Sequence, residues 1–446
     1  MEEKCIMLKR KITQTIENQL RSQSNKVLVV EGARQVGKSY IIRYVGKKLF
    51  KNYVEINFLE DSLGAKLFQH TQTLEDFYLQ LSMIAGNKLG NKENTLIFLD
   101  EIQEYPYLLT LLKFLKQDDR FTYIASGSLL GVTLSRTSSI PIGSIELKHM
   151  YPLDFEEFLW ANGVGDLVTQ TMRARYEARE SLDETMHEKI SDLFRKYLLI
   201  GGMPDAVNTY LDSKNIVKVR AVQNDIHEFY GLDASKYDLE NKLKIRRIYD
   251  MIPSNLESVK KRVVVKNIEG KKGKRFSDYQ DEFDYLIHAG IALEVRAISN
   301  PKFPLIESSG KNLLKLYLND VGILTNILYK HNVRAVLDNE RSVNLGSVYE
   351  SVVASELIAH GFSLYYYDNK TKGEVDYLID DYDSLSVVPI EVKSGKDYKV
   401  HSALDHFVSQ AEYHIQQGVV LSNEREVFTN DKITYLPIYY VMFFQN

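Results

Sequence analysis

Along the first 150 residues, short apolar runs that read as buried strands alternate with stretches whose apolar residues fall three and four apart, the rhythm of helices. A short amphipathic helix is predicted over 8–22 and a strand at Val27–Val30, followed at once by a Gly-containing turn. Then come a helix over SYIIRYVGKKLF, a strand at Tyr53–Phe58, a helix over LEDFYLQLSMIAG and a strand at Leu96–Asp100. A helix over YLLTLLKFLKQ and strands at Phe121–Ser126 and Ser144–Met150 complete the series. Strands alternating with helices predict an α/β domain with a parallel sheet.

From about Asp154 to about Tyr230 the pattern is helical, interrupted by the turn-like Gly201–Pro204. Residues 240–330 mix short helices with strands around the turn EGKKGKR. Beyond about 340 a helix (Ser347–His360) precedes strands near 363–368, 374–379 and 387–392. A helix near 401–415 and strands near 418–422 and 434–443 follow. No internal repeat or long Gly/Ser/Pro linker marks a boundary, so the segments 1–153, 154–235, 236–335 and 336–446 are soft by about ten residues at each end.

The 446 residues suggest about two to four domains. Hydrophobic residues at 44% and charged residues at 26% exclude a mostly disordered or collagen-like chain. Cys5 is the one cysteine, so no intramolecular disulfide and no cysteine-based zinc cluster can form. That fits a reducing cytosol. No apolar run is long enough for a spanning helix, and MEEKCIMLKRKITQ lacks the apolar stretch of a secretory signal. A cytoplasmic location with no membrane partner is expected. The net charge of −4 gives no sign of nucleic-acid binding, but Lys242–Arg275 holds 12 Lys/Arg against 3 Asp/Glu. That segment is either a solvated loop or a nucleic-acid-facing one.

Gly32-Ala33-Arg34-Gln35-Val36-Gly37-Lys38-Ser39 fits G-x-x-x-x-G-K-[ST] and sits between an apolar strand and a helix, where phosphate binding needs it. Backbone N–H groups of the curled loop and the helix N-terminus would cradle phosphates. Lys38 would reach the β- and γ-phosphates of ATP, and the Ser39 hydroxyl would bind Mg²⁺. The strand Leu96–Asp100 closes on Asp100-Glu101, an acidic pair in which Asp100 would hold Mg²⁺ and Glu101 would polarise the attacking water. The intervening strand Tyr53–Phe58 points to the additional-strand class of P-loop ATPases. Ser126 or Ser128, at the end of the fourth strand, would sense the γ-phosphate; a plain turn is the alternative.

EGARQVGKS, LIFLDEIQEYP, ASGS, YPLDFEEFL and LLIGGMPDAV, in this order, resemble a prokaryotic family of AAA-type ATPases with a C-terminal domain of unknown function. The resemblance covers nearly the whole chain. It implies a helical lid over 154–235 and a winged-helix-like segment over 236–335, with LLKLYLNDVGIL matching a family stretch. The family often places Gly-Arg, an arginine-finger position, just before the YPLDFEEFL block. Here Pro141-Ile142-Gly143-Ser144 has no arginine, and Arg136 is the nearest candidate. The sequence leaves the oligomeric state open.

Gly373-Glu374-Val375-Asp376 followed by Pro389-Ile390-Glu391-Val392-Lys393 resembles a restriction-endonuclease-like core. Strand side chains alternate faces, so Glu374 and Asp376 share one face, as do Glu391 and Lys393, while Tyr377 and Ile390 point away. The resemblance implies Asp376 and Glu391 as Mg²⁺ ligands, Lys393 as the group that places water, and Glu350 as a further acid. Glu356, six residues on, lies about 120° round the helix and faces elsewhere. A solvated hairpin, a nuclease-like fold that no longer cuts and an active nuclease all remain open. Scattered histidines, His401 and His406 included, do not suggest zinc, and the 29 tyrosines read as core.

The expected function is a Mg²⁺-dependent ATP-binding protein and ATPase whose nucleotide state controls a C-terminal nucleic-acid-binding core, with double-stranded DNA as the expected partner and cleavage left open. The alternative is an ATP-binding regulatory module with a non-cutting nuclease-like scaffold that binds DNA or a protein partner.

Overall fold

A computed structural model describes residues 7–22, 24–136, 143–237, 242–270, 273–309, 313–337, 345–369 and 373–446. Two compact units emerge. The first spans Lys9–Tyr151 and takes in His288–Gly290; the second contains Pro152–Ile287 and Ile291–Asn446.

The first unit is built on five strands: β1 (Val27–Glu31), β2 (Asn52–Asn57), β3 (Thr95–Asp100), β4 (Thr122–Gly127) and β5 (Ile145–His149). Their order is β2-β3-β4-β1-β5 and every pairing is parallel. All six residues of β3 are buried, as an apolar run in a covered parallel sheet requires. Parallel strands bring all their carboxyl ends to one edge. Because β1 lies beside β4 and β4 beside β3, the segments after these strands meet there. Phe58, expected to end the second strand, begins a helix (Phe58–Leu63), because the Asn57 side chain accepts from the Leu59 and Glu60 N–H groups and caps it. Phe58 then packs edge-on against Phe68, ring centres 5.3 Å apart, in the core.

The second unit joins helices to an eight-stranded mixed sheet: β6 (Ala292–Ala297), β7 (Leu314–Leu318), β8 (Tyr365–Asn369), β9 (Gly373–Asp381), β10 (Ser386–Lys393), β11 (Gly418–Ser422), β12 (Phe428–Asn430) and β13 (Ile433–Pro437). The order is β12-β13-β11-β10-β9-β8-β6-β7. β6 and β7 therefore extend the sheet formed by residues beyond 336, through a parallel β6–β8 pairing. The last predicted strand stops at Pro437, and Ile438–Phe443 is a wholly buried 3₁₀ turn. The helix expected near 401–415 ends at Ser409.

Two motifs from the sequence meet inside this unit. The turn at Gly201 ends the helix Glu184–Ile200, and Asp320 caps the helix Val321–Tyr329. The Asp320 carboxylate accepts from the Gly202 N–H at 2.6 Å and the Ile323 N–H at 2.9 Å. Arg220, also buried, donates to the Leu199 and Gly322 carbonyls at 3.1 and 3.0 Å. The two stretches thus form one structural corner.

Candidate functional site

The loop after β1 supplies backbone. Gly32 (φ +145°), Gln35 (φ +66°) and Gly37 (φ +97°) turn it, and the helix Lys38–Leu49 begins directly behind. A Cβ on Gly32 would sit 2.2 Å from the Met150 carbonyl oxygen, so only glycine fits. Ala33 and Val36 are buried and anchor the loop, while Gln35 points outward. Arg34 lies close enough to Lys38 to repel its charge. Arg10 donates to the Val36 carbonyl at 3.0 Å and the Tyr151 carbonyl at 2.6 Å. This brace escapes sequence reasoning because it comes from 26 residues upstream and fits no local motif.

The side chains expected to handle nucleotide converge. Lys38 is almost fully buried and donates to the Gly32 and Ala33 carbonyls at 2.9 and 2.8 Å and to Ser128 Oγ at 3.0 Å. Burial lowers its pKa to about 8, against the pull of Glu101 and Asp100. Ser39 Oγ donates to Asp100 Oδ1 at 3.0 Å, and Ser126 Oγ donates to the same oxygen. Burial raises the Asp100 carboxyl, and the two serines work the other way. Glu101 sits at φ +55°, unusual for a non-glycine residue and a recurrent feature of functional sites. Its carboxylate accepts from Ser128 Oγ at 2.8 Å and from the Gln103 amide. Gln103, unforeseen from sequence, is buried three residues past Asp100. Arg136 closes a short helix, but its side chain and Pro141-Ile142 lie outside the described residues.

This donor set fits a triphosphate with Mg²⁺: a curled backbone, one ammonium, one hydroxyl and one carboxylate, leaving the remaining ligand positions to phosphate and water.

In the second unit β9 and β10 pair antiparallel, with Tyr377 opposite Ile390, which makes Asp376 and Glu391 next in line. Asp376 Oδ2 accepts from the Val392 N–H at 2.9 Å, and Lys393 Nζ donates to Glu391 Oε1 at 2.9 Å. Glu350 projects from the helix Gly346–Ala359, and Lys261 donates to its Oε1. Glu356 instead accepts from the Phe155 N–H at 2.7 Å, so the two acids do face different ways. Lys315, fully buried, pairs with Glu374 at 2.5 Å. Burial and then Asp376 push Glu350 up to about 7 and Glu391 up to about 8. Tyr377, wholly buried, donates from its hydroxyl to the Glu350 carbonyl at 2.8 Å, as a buried phenol needs a partner.

The expected Mg²⁺ set of Glu350, Asp376 and Glu391 is therefore gathered, but interleaved with lysines. Among the described residues no three His, Cys, Asp or Glu side chains are grouped to hold a metal. Lys261 and Lys393 each take one oxygen, of Glu350 and of Glu391 respectively, while Glu391 Oε2 is buried without a hydrogen-bond partner among the described residues. The sequence could not show this, since Lys261 comes from the basic segment 89 residues before Glu350.

Residues 24–159 match a family described as an AAA domain. Residues 191–333 and 345–441 match two families described as domains of unknown function, DUF8612 and DUF4143. No curated protein matches the chain. Among solved structures, a Walker-type ATPase of Pyrococcus abyssi is 12% identical, with 72% of this chain and 95% of that chain covered and a TM-score of 0.44. Cdc6p of Pyrobaculum aerophilum is 11% identical over 76% and 97%, TM-score 0.28. The Aeropyrum pernix Orc1 protein, solved in complex with DNA, is 13% identical over 74% and 94%, TM-score 0.28. The chain carries an ATP-binding domain of the AAA P-loop type. No helix among the described residues is long and apolar enough to cross a membrane.

Proposed function

We propose that the chain is a Mg²⁺-dependent ATPase whose nucleotide state governs the acid–lysine core of the second unit, a core that engages double-stranded DNA. The observation that carries the ATPase reading is the convergence of Lys38, Ser39, Asp100, Glu101 and Ser128 at one sheet edge, with Ser39 Oγ 3.0 Å from Asp100. Lys38 binds the β- and γ-phosphates once its ammonium leaves the Gly32 and Ala33 carbonyls. Ser39 and Asp100 hold Mg²⁺, whose positive charge draws electron density from the phosphate oxygens. Glu101 releases Ser128 and takes a proton from the water that attacks the γ-phosphorus; the products are ADP and phosphate. Ser128, between Lys38 and Glu101, is the better placed γ-phosphate sensor, and Ser126 steadies Asp100.

For the second unit the charge pairing favours the non-cutting scaffold. Lys261 and Lys315 pair with Glu350 and Glu374, acids that a nuclease would leave open to a cation. The basic segment 242–275 supports contact with DNA phosphates.

The test is steady-state ATP hydrolysis by wild type and Glu101→Gln, with and without duplex DNA. Hydrolysis that rises with DNA and vanishes in the variant is expected. Hydrolysis that persists in Glu101→Gln would falsify the role given to Glu101, and indifference to DNA would remove the proposed partner.

A further inference from the structure

The second unit encloses a cavity of about 370 Å³ outside the acid–lysine core. His187, Ser191 and Arg195 reach it from the helix Glu184–Ile200, at four-residue spacing and hence on one face. Ser422 and Asn423, at the end of β11, and Tyr439, in the 3₁₀ turn, complete its polar wall. β10, β11 and β13 run parallel, and the cavity lies at the carboxyl end of β11, where α/β sheets hold their ligands. Asn423 Nδ2 donates to the Ser394 carbonyl at 3.2 Å, which fixes this wall against the residue after Lys393.

Two arginines act on the cavity, with Glu188 on its lining and Glu184 within electrostatic reach of His187. Arg195 lines it with no ion pair among the described residues. Arg425 lies within electrostatic reach of His187 and Tyr439, and its hydrogen bond goes to a neutral group, the Leu182 carbonyl at 3.0 Å. Burial, reinforced by both arginines, lowers the His187 pKa, which leaves a neutral ring at pH 7 with Nδ1 3.0 Å from the Tyr439 hydroxyl. Glu188 is an exposed acid at the rim.

A guanidinium that makes no ion pair among the described residues, in a half-enclosed cavity, suits an anion, and its planar fork matches phosphate. The hydroxyls of Ser191 and Ser422 and the Asn423 amide add neutral polar contacts. The rings of Phe194 and Tyr439 give an apolar floor against which a flat base can lie. The volume falls at the small end of ligand pockets, roughly 300–1,000 Å³. We propose that this cavity binds a single nucleotide, free or at the end of a strand, with its phosphate on Arg195. This assignment stands whether or not the acid–lysine core contacts DNA.

The test uses the full chain carrying Lys38→Ala, so that the phosphate loop does not take up the probe. Thymidine 5′-monophosphate and a 5′-phosphorylated four-thymidine strand are titrated by calorimetry. At least one should bind, and Arg195→Met should weaken it at least about tenfold, the loss of one charge-assisted contact. Arg195→Lys should recover part of the loss. Ser191→Leu, which fills the cavity without touching a charge, should also block binding. Tighter binding of the strand assigns the site to a strand end; equal or tighter binding of the monophosphate assigns it to a free nucleotide. Binding of neither probe, or binding that survives both Arg195→Met and Ser191→Leu, overturns the proposal.

Discussion

Replacing Lys261 with Met tests how the acid–lysine core is held together. Lys261 is three-quarters covered, and the Glu350 side chain it meets is 4% exposed. Asp376 already repels Glu350, so removing the lysine leaves a buried carboxylate against a like charge. Breaking a buried pair from one side costs about 3–5 kcal/mol. Glu350 has an escape, because its carboxyl is pushed up to about 7 and can take a proton. The sign follows: above about pH 7 the variant must carry the unpaired charge or bind a proton from dilute solution, and below it the carboxyl is neutral at little cost. The loss should therefore be largest near pH 8 and shrink toward pH 6. Guanidinium unfolding followed by the fluorescence of Trp160, the one tryptophan, reads the second unit. A loss under about 1 kcal/mol near pH 8, or one that fails to shrink near pH 6, refutes the buried-pair reasoning. Wild-type stability that climbs with added Mg²⁺ would show that a metal displaces the lysines and restore the nuclease reading.

Three more outcomes follow from single contacts. Gly32→Ala should abolish ATP binding in calorimetry while Gly143→Ala, open on all sides, leaves it intact, because only the first forces a Cβ into the Met150 carbonyl. Asp320→Ala should cost about 3–5 kcal/mol in the same fluorescence assay, since it uncaps a helix and orphans the Gly202 and Ile323 N–H groups. Burial raises the Asp320 carboxyl to about 6. The folded state thus holds this proton more tightly than the unfolded chain, and stability falls as pH rises from about 4 to about 6, by no more than about 3 kcal/mol; Asp320→Asn should flatten that slope. Ser39→Ala should weaken Mg²⁺-ATP binding more than binding of ATP with EDTA, and equal losses would remove Ser39 from the Mg²⁺ ligands.

The chain by itself determined the first unit almost to the residue. Its central strands β1, β3 and β4 are covered on both faces and read as buried apolar runs, whereas the edge strands β2 and β5 are mixed, and the phosphate loop must lie between one such central strand and a helix. A local pattern can specify a local geometry of that kind. Phe58 was misplaced at the edge of this signal, where one Asn57 cap outweighed strand propensity. Contacts that join distant segments were decided by the tertiary structure. The brace of Arg10 on the phosphate loop, the docking of Asp320 on the turn at Gly202 and the insertion of Lys261 beside Glu350 span 26, 118 and 89 residues. No periodicity encodes such pairs. The acids and Lys393 of the β9–β10 hairpin were legible as chemistry, since strand alternation fixes which side chains share a face. Whether they would be open to a metal or closed by lysine depended on what the rest of the chain packed against them, because a buried carboxylate takes whichever cation the fold brings within reach.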